Sequence, residues 1–278
     1  MRFLTDVHTH SDFSFDGDAP LSAMLSTALE RQIAFYGVSE HVDYDLLVTG
    51  NKEGRAMLDA EGYFHTARHL QEDYEGCMNV LIGAEFSYID DENAYAMYEN
   101  IIKTYHPDFI VNSVHSENGE DYYDRLPFYQ INADGERVLL DKAKVYANYF
   151  QLVLKSLHVR YPYQIVGHIG YAIRYAPYQD PSWRYQDYQS VLDEILKTVI
   201  AKNKILEVNT GGGRSTLPMR EILERYYALG GRAVSFASDA HHPTQIMANR
   251  AEVSAMLKEI GFTHYTVPCK DEYVRVEI

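Results

Sequence analysis

The 278-residue chain has two cysteines, Cys77 and Cys269, far apart and in no paired spacing. This excludes a disulfide framework and a thiolate zinc ribbon, and leaves two free thiols. Basic residues are also scarce: 25 Lys and Arg stand against 40 Asp and Glu, a net charge of −15. A balance this acidic argues against a non-specific nucleic-acid binder and against a protein held on anionic lipid by charge. No apolar run approaches the roughly 20 residues that cross a bilayer. The opening segment Met1-Arg2-Phe3-Leu4-Thr5-Asp6 is not followed by a signal-peptide core, so a cytoplasmic location is the expectation. No linker, low-complexity tract or strong repeat divides the chain, and residues 1–278 read as one domain, with no pattern that fixes an oligomeric state. Two residue types are abundant instead, 12 His and 24 Tyr.

Short β-branched and aromatic runs recur, each followed by a longer amphipathic stretch, which is the signature of parallel βα units. Seven strands are expected: Phe3–Val7, Ala34–Ser39, Val80–Phe86, Phe109–Val114, Gln164–Gly167, Ile205–Asn209 and Ala233–Ser238. Helices are expected at Leu21–Arg31, with Asp18 and Pro20 in cap and first-turn positions, and at Tyr188–Lys202, apolar at Val191, Ile195 and Val199. The connections Tyr44–Asp59 and Ser116–Asp141 exceed what a βα loop needs and read as functional. A closed α/β barrel of seven or eight strands is the favoured architecture, with an open doubly wound sheet as the alternative.

The strand ends carry the chemistry. His8-Thr9-His10 follows the first strand, and residues i and i+2 of an extended segment face the same way, so the two imidazoles can grip one ion. Asp16 follows six residues on, within reach of a folded-back loop. His41 ends the second strand, and Glu85 interrupts the apolar third, where an unpaired buried carboxylate would be costly without a cation or strong donors. The fourth strand ends at His115, the fifth at His168 and the seventh at Asp239, His241 and His242; the sixth ends Glu207-Val208-Asn209-Thr210 before three glycines and Arg214. In a parallel barrel all of these meet at one mouth, the C-terminal rim where such folds place their active sites. His65, His69, His106, His158 and His264 hold no such place and read as surface residues.

The succession His8-Thr9-His10, His41, Glu85, Ser113-Val114-His115, Gly167-His168 and Ser238-Asp239-Ala240-His241 resembles the polymerase and histidinol phosphatase (PHP) superfamily, and within it the stand-alone histidinol-phosphatase branch. The likeness spans nearly the full length. It implies a distorted TIM-like (β/α)7 barrel with a trinuclear centre of zinc, iron or manganese that cleaves phosphate esters. By that resemblance the first ion takes His8, His10, Glu85 and Asp239, the second takes Glu85, His115 and His168, and the third takes Asp16, His41 and His241. Glu85 bridges the first two. Several family members have His in place of Asp16, and an oxygen ligand there favours a harder ion such as manganese or iron. Arg174 and Arg214 resemble the family's phosphate-binding arginines. The implied reaction is hydrolysis of L-histidinol phosphate, in which water activated between two ions attacks phosphorus while the third ion and the arginines neutralise charge. Catalytic roles fall to Glu85, Asp239 and His241, with His242 a candidate proton donor to the leaving group. Glu117, Glu120, Asp121, Tyr122 and Tyr123 are candidates to hold the ammonium and imidazole of the substrate. The competing readings are a phosphatase of another small phosphate ester (a nucleotide, tyrosine phosphate or sugar phosphate), a non-catalytic metal-binding module, and an amidohydrolase. A barrel Lys between two metals, expected of an amidohydrolase, ends none of the strands.

Overall fold

In the computed structural model, residues 4–44, 57–270 and 272–278 are described; Phe3 of the first expected strand and most of the Tyr44–Asp59 connection lie outside them. Seven strands form one parallel sheet in sequence order: β1 (Leu4–Asp6), β2 (Ile33–Val42), β3 (Asn79–Ser87), β4 (Phe109–Ser113), β5 (Ile165–Val166), β6 (Ile205–Asn209) and β7 (Val234–Ala237). The two ends meet just past β1 and β7. The Val7 N–H donates to the Phe236 carbonyl at 3.2 Å, and Thr9 forms a parallel bridge with Ala240. The result is a distorted TIM-like barrel whose seam is stitched at its C-terminal rim. The seam runs through three metal-ligand candidates, His8, His10 and Asp239: the His8 carbonyl accepts from the Asp239 N–H at 2.9 Å and the His10 N–H donates to the Ala240 carbonyl at 2.8 Å.

Helices α1 (Leu21–Glu30), α2 (Ala60–Asp73), α3 (Glu92–Tyr105), α4 (Lys142–Ser156), α5 (Tyr171–Arg174), α6 (Gln189–Ala201), α7 (Arg220–Ala228) and α8 (Arg250–Ile260) separate the strands. Asp59, Asp91 and Asp141 cap α2, α3 and α4 by accepting from backbone N–H groups of the first turn. The expected cap of α1 differs. Pro20 itself occupies the N-cap position without a side-chain cap, and the Asp18 N–H instead donates to the His241 carbonyl at 3.0 Å, tying the first loop to the last. Many tyrosines serve the helix–sheet interface as long apolar bodies with a polar tip. The buried Tyr63 hydroxyl donates to the Gly83 carbonyl at 2.8 Å, and that of Tyr98 to the Ser87 carbonyl at 2.6 Å.

Alternate residues of each strand face the barrel interior. Val7, Leu81, Phe109, Val111, Ile165 and Ile205 form that inner cluster, and Val267 and Val276 join it from a hairpin, β8 (His264–Cys269) with β9 (Glu272–Glu277), that the sequence reading leaves unassigned. The Phe109 ring explains the strand glycine Gly83 and, together with the Val7 backbone 2.8 Å from where a Cβ would sit, Gly37. A Cβ on Gly83 would lie 2.5 Å from the ring and one on Gly37 3.0 Å from it, so the large side chain fills space its neighbours leave. Phe109→Ala should therefore cost about 3–5 kcal/mol, measured by urea denaturation of the metal-free chain; a loss under about 1 kcal/mol would show that the interior is filled otherwise.

Candidate metal centre

On β3, Leu81, Gly83 and Glu85 share the inward face, and Glu85 pairs directly in register with His41 of β2. Its carboxylate is fully buried. Oε1 lies 3.2 Å from His115 Nε2 and 2.9 Å from His168 Nε2, and accepts from the Ser113 hydroxyl at 2.5 Å. Oε2 lies 3.3 Å from His8 Nε2 and 3.6 Å from His10 Nε2. Burial alone would raise this carboxyl, but His8, His115 and His41 beside it hold it well below the usual carboxylate range.

Three groups assemble around it. His8 Nε2 and His10 Nε2 are 3.1 Å apart, and Asp239 Oδ1 lies 3.3 Å from His10 Nε2 and 3.8 Å from His8 Nε2. His115 Nε2 and His168 Nε2 are 3.3 Å apart on the other side of Glu85. Asp16 Oδ1, His41 Nε2 and His241 Nε2 are separated by 3.4–3.7 Å. These spacings test whether metal ions fit. Two nitrogens 2.0–2.1 Å from a tetrahedral ion stand about 3.4 Å from each other, and the Nε2 pairs fall near this separation. Glu85 Oε2, moreover, is buried with no hydrogen-bond partner although three imidazole nitrogens lie within 3.6 Å, the nearest being His41 Nδ1 at 2.9 Å and out of line. Burial, with His41 and His241 next to it, pushes His10 down to about 3, so its imidazole is neutral at physiological pH, the form that ligates.

The outer edges of four of the six imidazoles are held as well, which turns their Nε2 toward the centre. His8 Nδ1 meets Glu207 at 2.5 Å, His10 Nδ1 meets the Ser14 hydroxyl at 3.2 Å, His115 Nδ1 meets Asp43 at 3.3 Å, and His241 Nδ1 meets the Asp239 carbonyl at 3.0 Å. Ser14 in turn donates to the buried Glu40 at 2.5 Å. Asp6 accepts from the Ser238 and Met247 N–H groups at 2.9 and 3.0 Å, fixing the loop that bears Asp239 and His241; burial pushes its carboxyl up to about 6. Asp239 itself sits at φ +55°, a left-handed conformation that Asp tolerates better than most residues. Asp43, Glu40, Asp6 and Glu207 are absent from the sequence expectation. Their signal was the same as that of Glu85, a carboxylate in an otherwise apolar strand or at its end.

The cup opens into a cleft of about 230 Å³ walled by Phe15, Asp43, Asp121, Tyr123, Tyr171, Tyr175 and Arg214. Arg214 lies at this wall and donates to the Tyr175 hydroxyl at 2.6 Å. Arg174 does not line the cleft. Its side chain is 3% exposed, and its guanidinium donates to Asn209 and to the Ser215 carbonyl at 3.0 Å each and lies 3.8 Å from Asp239. It packs so tightly under Gly211 that a Cβ there would lie 2.6 Å from Nη1, in a turn where φ is +51°. His242 is not brought to the site either. Its Nδ1 accepts from the Thr244 N–H at 3.2 Å and contacts the Thr244 hydroxyl at 2.8 Å, a turn cap at the exposed surface rather than a proton donor facing the cup. Of the acidic loop, Asp121 and Tyr123 reach the cleft, whereas Tyr122 is buried and donates to Glu117 at 2.9 Å.

Fold and site together define an α/β barrel with a histidine and carboxylate cup at its C-terminal rim. The PHP domain family matches residues 6–211, and the chain belongs to this family. It is 27% identical over 251 residues to a probable histidinol-phosphatase of Clostridium acetobutylicum, covering 88% of this chain and 89% of that protein. It is 25% identical over 263 residues to the histidinol-phosphatase of Lactococcus lactis, covering 92% and 91%. The solved structure of histidinol phosphate phosphatase from Lactococcus lactis, in complex with zinc, L-histidinol and phosphate, aligns with a TM-score of 0.83 at 22% identity, over 99% of this chain and 100% of that one. Among the described residues no helix is long and apolar enough to cross a membrane.

Proposed function

We propose that the protein, as one domain over residues 1–278, is a metal-dependent phosphomonoesterase that hydrolyses L-histidinol phosphate to L-histidinol and phosphate, a step of histidine biosynthesis. One observation carries this reading: nine side chains from six strand ends converge at the spacing divalent transition metals require, beside a cleft bearing an arginine. The full-length likeness to histidinol-phosphatases supports the substrate. His8, His10, Glu85 and Asp239 would hold one ion, Glu85, His115 and His168 a second, and Asp16, His41 and His241 a third, drawn from zinc, iron or manganese. Ions in such a site acidify water and neutralise phosphate oxygens.

The chain's own residues do the rest. Arg214 offers parallel donors to two phosphate oxygens from the cleft wall. Arg174, whose Nη2 donates to Asn209 and to the Ser215 carbonyl, holds the Gly211 turn and Asp239 in place beside them. The organic part of the ester is a cation with a flat ring, matched by Asp43 and Asp121 and by the faces of Tyr123, Tyr171 and Tyr175. A local patch of cations also explains how an anion approaches a chain of net charge −15.

A panel of phosphate esters assayed with metal-analysed enzyme tests the proposal. kcat/KM for histidinol phosphate should exceed that for p-nitrophenyl phosphate by about 10²-fold or more, because contacts to the organic part stabilise the transition state. Equal values would assign the cup to another small phosphate ester.

A further inference from the structure

On β6, Leu206 and Val208 pack into the outer core while Ile205 faces the barrel interior, so Glu207 and Asn209 alternate inward with Ile205. Glu207 is fully buried and arrives between two of the groups described above. Its Oε1 lies 2.5 Å from His8 Nδ1. Its Oε2 accepts from the His168 main-chain N–H at 2.7 Å and from Asn209 Nδ2 at 3.1 Å. Asn209 Nδ2 also donates to Asp239 Oδ2 at 3.2 Å, and Asn209 Oδ1 accepts from Arg174 and from the Gly211 N–H.

We propose that Glu207 is a positioning residue that keeps the His8 proton on Nδ1, freeing Nε2 for a metal ion, and that couples the first ion position to the second through the His168 backbone. The inference rests on the metal-dependent reading of the cup. The His168 N–H and the Asn209 amide can only donate, so Oε2 must accept; a carboxylate then has only an acceptor left for His8, and this selects the Nδ1–H tautomer. No neutral side chain of this shape meets both conditions. In Glu207→Gln, the amide oxygen is claimed by His168 and Asn209, two donors against one, and the amide NH2 is turned toward His8. It would donate to Nδ1 and move the ring proton to Nε2, the atom that faces Glu85 and His10. Glu207→Asp keeps a carboxylate at shorter reach and should restore part of the loss.

The test uses the full chain stripped of metal, titrated with Zn²⁺ by chelator competition, together with long-range proton–nitrogen spectra of the zinc-loaded, ¹⁵N-histidine-labelled protein. Parent protein should show His8 protonated at Nδ1, identified by the signal lost in His8→Gln. Glu207→Gln should weaken zinc binding by about 10–100-fold, with the His8 tautomer altered, and Glu207→Asp should lie between it and the parent. An unchanged tautomer with parental zinc affinity in Glu207→Gln would overturn the proposal. So would equal losses of affinity in the Gln and Asp variants with the tautomer intact, since that marks a packing role alone. A parent that binds no zinc would instead refute the metal-dependent reading itself.

Discussion

Glu85→Ala is expected to retain at most about one ion per chain, and to turn over histidinol phosphate at least about 10³-fold more slowly than the parent. The reason is that the two oxygens face different partners: Oε1 faces His115 and His168, and Oε2 faces His8, His10 and His41. Removing them would take a ligand from both proposed ion positions at once and leave five imidazoles facing one another without a counter-charge. Glu85→Gln separates charge from shape. It fills the same volume, but its amide presents an NH2 to one histidine group whichever way it turns, so one ion position should survive better than the other. Elemental analysis of both variants beside His115→Ala, which serves a single position, ranks the effects. Parental metal content and turnover in Glu85→Ala would show that the bridge is misassigned. The far-ultraviolet spectrum and urea midpoint of the metal-free variant guard against simple misfolding, because the Ser113 hydroxyl also loses its 2.5 Å acceptor.

The inward-facing chemistry was legible because strands have a period of two and barrels bring strand ends together. His8 and His10, His41, Glu85, His115, His168, Asp239 and His241 each stand at the end of an apolar run, and parallel topology needs no more than that to place them in one cup. Asp16 was legible from its spacing only as within reach of the pair, and its place with His41 and His241 came from the resemblance, since the loop that folds it back depends on the Asp18 to His241 and Asp12 to Ala19 backbone bonds, which no local pattern encodes. The residues behind the ligands were harder to find. Glu207 and Asp6 read as polar residues near a strand end, and their importance lies in which donors they face from other strands. Arg174 and Arg214 look equivalent in sequence, each following a strand end, yet the Gly211 turn buries one and leaves the other on the wall. His242 adjoins a ligand but caps its own turn, because adjacent residues in an extended segment point in opposite directions. The hairpin at 264–277 has no clear sequence signal, because Pro268 interrupts its alternation and its packing of Val267 and Val276 into the barrel interior is purely tertiary.

The two arginines give the sharpest separation of phosphate recognition from metal binding. Arg214→Lys is expected to keep its full metal content and folding stability while kcat/KM for histidinol phosphate falls by about 10²–10³, comparable to the loss of one oxyanion donor. Lysine preserves the charge but replaces a rigid fork, which matches two phosphate oxygens, with a single flexible point of charge. It also loses the 2.6 Å bond to the Tyr175 hydroxyl that orients the guanidinium toward the cleft. Because Arg214 touches none of the nine ligand side chains, metal binding has no reason to change. Arg174→Lys should behave differently. Its guanidinium bonds Asn209 and the Ser215 carbonyl and lies 3.8 Å from Asp239, so lysine there disturbs the support of a ligand. That variant should lose metal affinity and thermal stability together with activity, and added metal should recover part of the rate. Inorganic phosphate, titrated as an inhibitor, completes the comparison: its inhibition constant should rise in Arg214→Lys even with metal saturating. If Arg214→Lys binds phosphate and turns over like the parent, the wall arginine is a surface residue and the cup alone holds the phosphoryl group.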